Sequence, residues 1–210
     1  MRTGKCFGII LAGGLSRRMG GGDKALHTVG GMSLLAWVIA AVRPQCEGLM
    51  VNANGDPARF AAFGFPIVAD DLPGFKGPLA GILAGLDWIA AHVPEAELAL
   101  SAPADTPFLP ADLAARLKHA RTADNAVMAC ACSGGRRHPL AALWPVAIRQ
   151  ELRHAIVEED QRKVADFLRV YRCATAEWPV EPFDPFFNVN EPSDLAAAEF
   201  LLSRHGTHIA

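Results

Sequence analysis

The stretch that most constrains this chain runs from Cys6 to Lys24. Cys6-Phe7-Gly8-Ile9-Ile10-Leu11 is a short apolar run with β-branched residues in its middle, which predicts a buried strand. It opens directly into Ala12-Gly13-Gly14-Leu15-Ser16-Arg17-Arg18-Met19-Gly20-Gly21-Gly22-Asp23-Lys24. Gly13 and Gly14 permit positive φ and let a ligand approach the backbone closely. Successive N–H groups in such a turn form an anion-binding concavity. Arg17, Arg18 and Lys24 add positive charge, so strand, turn and cations together point to phosphate binding. The competing reading is a solvated glycine turn. Clustered cations weaken it, because they repel one another unless an anion sits among them.

Two familiar phosphate loops are excluded. A P-loop needs G-x-x-x-x-G-K-[ST], and here Lys24 follows Asp23 and precedes Ala25. Gly20-Gly21-Gly22-Asp23-Lys24-Ala25 has the letters of a dinucleotide fingerprint but lies well past the end of the strand.

The rest of the chain alternates. Helix is predicted over 34–42, ended by Pro44, then strand over 48–51, a short helix near 57–63 and strand over 65–69. A helix over 79–91 follows, then strand over 97–100 and helix over 112–119. Strand and helix in turn predict an α/β fold: a doubly wound, mostly parallel sheet with helices on both faces, Rossmann-like. Ligands bind such sheets beyond the carboxyl ends of the strands, and there stand the glycine loop, Asn52, Asp70 and Asp105. Beyond 120 the pattern loosens. Strands over 126–131 and 138–144 form a hairpin across Ser133-Gly134-Gly135, and helices are expected over 146–155, 161–170 and 192–204. Residues 182–189 read as an aromatic, extended segment.

Composition removes several function classes. The 210 residues are 51% hydrophobic, which fits one domain with a full core. A net charge of −2 without runs of one sign argues against a nucleic-acid partner. The five cysteines are odd in number and lack zinc-site spacing, which reads as reduced thiols in a cytoplasmic protein. No apolar stretch has the length of a membrane span, so no membrane partner is expected. Arg2 and Lys5 imitate a signal peptide, but the pair Arg17-Arg18 follows the apolar run instead of preceding it.

Several polar residues carry candidate chemistry. Asp105, in Pro103-Ala104-Asp105-Thr106-Pro107, can hold Mg²⁺ against phosphate oxygens or simply cap a turn. Asn52 and Asp70 can read a base or ribose or serve turn chemistry. Gly77-Pro78-Leu79-Ala80-Gly81 begins a helix whose small residues allow close approach or plain packing. Arg136, Arg137 and His138 can hold a phosphate or an acidic substrate, or form an exposed hairpin tip. In Asn188-Val189-Asn190-Glu191-Pro192, Asn190 reads as the N-cap of the closing helix. Tryptophans and most phenylalanines read as core.

The pattern L-A-G-G-x-S-x-R-M-G-G-x-D-K resembles the signature loop of the molybdenum cofactor guanylyltransferases, in the MobA-like nucleotidyltransferases. Many sugar-nucleotide relatives carry proline before the lysine, where this chain has Asp23. Gly77–Gly81, His138-Pro139 and the N-V-N-x-P run extend the resemblance from Leu11 to Pro192. It implies transfer of GMP from GTP to the terminal phosphate of molybdopterin or the molybdenum cofactor, with Mg²⁺ on Asp105. It implies nucleotide contacts by Leu11, Ala12, Gly13, Gly14, Lys24, Asn52, Asp70 and Gly77, with Lys24, Arg18 and Asp105 catalytic. His138 falls to the acceptor side, and Asn188 to the metal or the pterin. A nucleotide-binding half (about 1–121) and an acceptor-binding half (about 122–210) would form one domain, with other cofactor-biosynthesis or acceptor proteins as partners. Two alternatives stay open: a cytidylyl- or sugar-phosphate transferase, and a nucleotide-binding cofactor chaperone without turnover.

Overall fold

The computed structural model describes residues 4–13, 23–72, 74 and 77–209. Gly14, Arg17 and Arg18 lie outside the described residues.

Strand β1 (Lys5–Leu11) is followed, across the loop, by a 3-10 turn (Lys24–Leu26). A small antiparallel ribbon follows, β2 (Thr28–Val29) and β3 (Met32–Ser33), which the sequence reading did not contain. The Ser33 hydroxyl accepts from Ala36 N at 3.1 Å and starts helix α1 (Leu34–Val42). Then come β4 (Leu49–Asn52), a 3-10 helix (Pro57–Phe63), β5 (Ile67–Val68), α2 (Pro78–His92) and β6 (Ala96–Pro103). Helix α3 (Leu113–Ala123), β7 (Met128–Ser133), β8 (Arg136–Pro145), α4 (Arg149–Val157) and α5 (Val164–Val170) lead to β9 (Cys173–Trp178) and α6 (Pro192–Ile209).

Seven strands form one sheet in the order β5-β4-β1-β6-β8-β7-β9. Pairing is parallel except on the two sides of β8. The expected hairpin is present: Gly134 and Gly135 have φ of 53° and 75°, the positive values a two-residue turn needs. Two expectations are corrected. Residues 182–189 form turns and bends, and the strand in this region is β9, upstream. Its inward residues are Ala174, Ala176 and Trp178, and alanine gives little alternation to read. Of the four tryptophans, Trp144 and Trp178 are buried, whereas Trp37 and Trp88 are only half-buried.

Alternate residues of the central strands feed two cores. Cys6 and Ile10 of β1, with Leu100 and Ala102 of β6, pack beneath α1 and α3. Phe7 and Ile9, with Ala99 and Trp144, pack beneath α2, α4 and α5. That is the two-layered coat of a doubly wound sheet. A third cluster, Val29, Leu34, Phe108, Val189 and Ala198, docks α6 and the β2–β3 ribbon beside the sheet. Among the described residues no helix is long and apolar enough to cross a membrane.

Candidate functional site

Parallel pairing puts the carboxyl ends of β5, β4, β1 and β6 on one edge. Three backbone hydrogen bonds stitch the exits together: Ala12 N to Asn52 O at 2.8 Å, Ala53 N to Val68 O at 3.1 Å, and Ala104 N to Leu11 O at 3.0 Å. Asn52, Asp70 and Asp105 therefore share that edge with Leu11, Ala12 and Gly13. The reversed strand β8 brings its first residues, Arg136 to His138, to the same edge, because Ser101 of β6 pairs with Ala142.

Asp105 and Lys24 form the centre. Lys24 Nζ donates to Asp105 Oδ2 at 2.5 Å and to Asn190 Oδ1 at 2.7 Å. Val189 N donates to the Asp105 carbonyl at 2.9 Å, holding the segment after 187 against the end of β6. Asn190 is thus not the helix cap its sequence position suggested. Asp194, in the first turn of α6, instead reaches back and accepts from Asn190 N and Glu191 N at 2.7 and 2.9 Å. Nothing local in the sequence marks Asn190 as a partner of Lys24, which lies 166 positions away.

Among the described residues, two buried side-chain oxygens have no hydrogen-bond partner: Asp105 Oδ1 and Asn188 Oδ1. An unpaired buried acceptor is costly. One carboxylate and one amide oxygen are hard oxygen donors of the kind that suits Mg²⁺. Asp105 accepts from Lys24 through one oxygen and keeps the other free of protein partners among the described residues.

The second group surrounds Asp70. Asn52 Nδ2 donates to Asp70 Oδ1 at 2.9 Å and to Val68 O at 3.1 Å. Asn54 Nδ2 donates to Asp70 Oδ2 at 2.8 Å, and Asn54 Oδ1 accepts from Asp70 N at 2.9 Å. Both carboxylate oxygens are thus oriented by amides. Asn54 is a site residue that the sequence does not single out; it stands two positions past the end of β4. The adjacent Asp71 is separate: Arg153 donates to it at 2.7 Å. Gly81 of α2 sits against Asn52, and a Cβ there would lie 2.2 Å from Asn52 Oδ1. Gly77 caps that helix at φ 73°, and Gly81 packs the helix against Asn52 and Leu11 of the sheet.

The third group lines a cleft of about 380 Å³ beside Asp105, walled by Thr106, Arg136, Arg137, His138, Phe186 and Asn188. His138 stacks on Phe186, with ring centres 4.5 Å apart. The Ser133 hydroxyl donates to Asp184 Oδ1 at 2.8 Å, so the 2.7 Å contact with His138 Nε2 is a donation from the ring. Burial holds the His138 pKa below its ordinary 6.5, and Arg136 adds to that, while Asp184 and Glu177 oppose it. His138 is thus a packed wall of the cleft and not an exposed tip.

Residues 8–175 match the MobA-like NTP transferase domain. The chain is 59% identical over 194 residues to the molybdenum cofactor guanylyltransferase of Bradyrhizobium sp. (strain ORS 278), covering 92% of each. It is 60% identical over 196 residues to that of Rhodopseudomonas palustris (strain HaA2), covering 93% of this chain and 92% of the relative. The fold is similar to that of molybdopterin-guanine dinucleotide biosynthesis protein A from Archaeoglobus fulgidus, with a TM-score of 0.72 at 23% identity, over 94% of this chain and 99% of that one. The glycine loop, the strand-end carboxylates and similarity along nearly the whole chain agree: it belongs to the MobA-like NTP transferase family, among the molybdenum cofactor guanylyltransferases.

Proposed function

We propose that this chain transfers GMP from GTP to the terminal phosphate of molybdopterin or of the molybdenum cofactor. The observation that carries the reading is Asp105. One of its oxygens is held by Lys24, the other is buried without a partner, and it stands between the Asp70 group and the Arg136–His138 cleft.

In the reaction a phosphate-monoester oxygen of the acceptor forms a bond to the α-phosphorus of GTP. The bond from that phosphorus to the bridging oxygen breaks in line, and pyrophosphate leaves with the electron pair. A phosphate monoester is already ionised at neutral pH, so no strong general base is required. Lys24 neutralises charge growing on the phosphates, and the backbone at Ala12 and Gly13 supports it. Asp105 and Asn188 would hold Mg²⁺, which supplies further charge neutralisation when bound. Asp70, oriented by Asn52 and Asn54, accepts hydrogen bonds from the guanine N1–H and exocyclic amine, and Gly77 and Gly81 allow the base close to the sheet. Arg18 belongs on the catalytic side by its place in the loop pattern. Arg136, Arg137 and His138 receive the anionic acceptor.

The chain acts as one domain, with a nucleotide-binding half of about 1–121 and an acceptor-binding half of about 122–210. It works in the cytoplasm with neither nucleic acid nor membrane as partner, and other cofactor-biosynthesis or acceptor proteins supply or receive the pterin. The deciding experiment incubates the purified protein with Mg²⁺, a molybdopterin source and each nucleoside triphosphate in turn. Pyrophosphate released with GTP alone supports the reading. Release with CTP instead would favour a cytidylyl transferase, and GTP binding without release a chaperone.

A further inference from the structure

We propose that Arg59 is a positioning residue that ties Lys24 to the base-reading pocket, so that phosphates and base of one nucleotide are gripped in fixed register. This rests on the nucleotide reading above.

Arg59 lies on the 3-10 helix Pro57–Phe63, whose N-cap Asp56 accepts from Ala58 N at 2.9 Å. Its guanidinium reaches three oxygens on two separate segments. Nε donates to the Asp56 carbonyl at 2.9 Å, Nη2 to the Asn54 carbonyl, and Nη1 to Asp23 Oδ1. Asp23 is the residue immediately before Lys24. It stands at the N-cap of the turn Lys24–Leu26, yet its side chain makes no capping hydrogen bond. Its carboxylate is turned to Arg59 instead and is only 13% exposed. Asn54, at the other end, spends its whole amide on Asp70. Gly55 has φ 88°, and a Cβ on it would lie 3.2 Å from the Arg59 Nη2, so the turn leaves the space that the guanidinium fills.

A path therefore runs from Lys24 to Asp70 by three side-chain groups, the Asp23 carboxylate, the Arg59 guanidinium and the Asn54 amide, and by the backbone that links them. An ordinary surface ion pair contributes little. This one differs, because a planar fork with fixed donor directions serves a shielded carboxylate and a backbone carbonyl together. None of these groups needs to touch the reacting atoms. They set where Lys24 stands relative to Asp70.

The test uses Arg59→Ala, Asp23→Ala, the double variant and Arg59→Lys. Each is read by calorimetric affinity for GTP and ATP, by kcat and KM for GTP, and by melting temperature. Arg59→Ala is expected to weaken GTP about tenfold, to lower kcat by a similar factor, and to narrow the preference for GTP over ATP. Asp23→Ala should do the same. The double variant should fall no more than about twofold below either single, because both remove one link. Arg59→Lys keeps the charge but cannot serve Asp23 and Asn54 together, so it should stay within about threefold of Arg59→Ala. Losses that multiply in the double variant would overturn the proposal. So would a change confined to melting temperature, or a lysine variant with wild-type kinetics, which also decides the matter if the alanine variants do not fold. If the wild-type protein binds GTP but transfers nothing, the functional reading fails, and the affinity arm still judges the coupling.

Discussion

Lys24 Nζ stands 2.5 Å from Asp105 Oδ2, although the two residues are 81 positions apart in the chain. The same ammonium reaches Asn190 at 2.7 Å, so one cation joins the end of the glycine loop, the end of β6 and the segment before α6. Lys24→Ala is expected to lower kcat by about 10²-fold or more, as loss of one preorganised donor typically does. Lys24→Arg should not restore it, since the planar fork cannot replace a compact ammonium between Asp105 and Asn190. Steady-state pyrophosphate release checks both, and an arginine variant with wild-type rates would refute a close contact.

Asp105→Ala should abolish Mg²⁺-dependent turnover while the fold survives, because it removes the carboxylate whose second oxygen is unpartnered. Asn188→Ala removes the other unpartnered oxygen and should raise the Mg²⁺ concentration needed for half-maximal rate. Circular dichroism with a Mg²⁺ titration separates these effects from misfolding, and an Asp105→Ala enzyme with undiminished turnover would count against the assignment.

Asp70→Asn should weaken GTP and blur its preference over ATP and CTP. The carboxylate accepts from Asn52 and Asn54 on both oxygens, and an amide in its place would turn an N–H₂ group towards one of those donors. Calorimetry with the three triphosphates reads the change.

Gly81→Ala should destabilise the protein by about 1–3 kcal/mol and weaken GTP, since the new methyl would stand 2.2 Å from Asn52 Oδ1. Gly31→Ala is the contrast: a Cβ there meets nothing within 4 Å, so its cost comes only from φ 78° and it should leave GTP affinity unchanged. Thermal melts with and without GTP check both.

His138 should give the protein a pH-dependent stability of definite sign. Burial depresses its folded pKa below 6.5, so below that pH the unfolded chain binds more protons than the folded one. The contribution is complete above about pH 6.5 and is lost as pH falls through the window between 6.5 and the lower folded value. His138→Gln should flatten the slope of melting temperature against pH in that window. The same variant should raise KM for the pterin and leave GTP affinity nearly unchanged, because the cleft wall carries no Asp70 or Asn52 contact. Weaker GTP with normal pterin dependence would instead put His138 on the nucleotide side.

Local chemistry made much of this protein readable from its residues. A β-branched apolar run ending in glycines is a strand feeding a loop wherever it occurs, and the alternation with alanine-rich helical segments fixed the parallel half of the sheet. Asn52, Asp70 and Asp105 could be named because strand ends in such a sheet converge on one edge. The Gly134-Gly135 turn identified the hairpin. Other features depend on partners far away in sequence. Strand β9 escaped because two of its three inward residues are alanines, which set only a weak apolar signal against outward Thr175 and Glu177. Asn190 looked like a cap, but Lys24 claims its amide oxygen, and Asp194 of the first helical turn reaches back to its backbone N–H. Asn54 and Arg59 carry no pattern of their own, and their meaning comes from Asp70 and Asp23 being folded against them. Periodicity and turn chemistry act over a few residues, so the sequence by itself determined the alternating elements of the parallel half and the hairpin, but neither the β2–β3 ribbon nor β9. Hydrogen-bond partners are chosen by which segments the sheet brings together, and only the tertiary structure decided those.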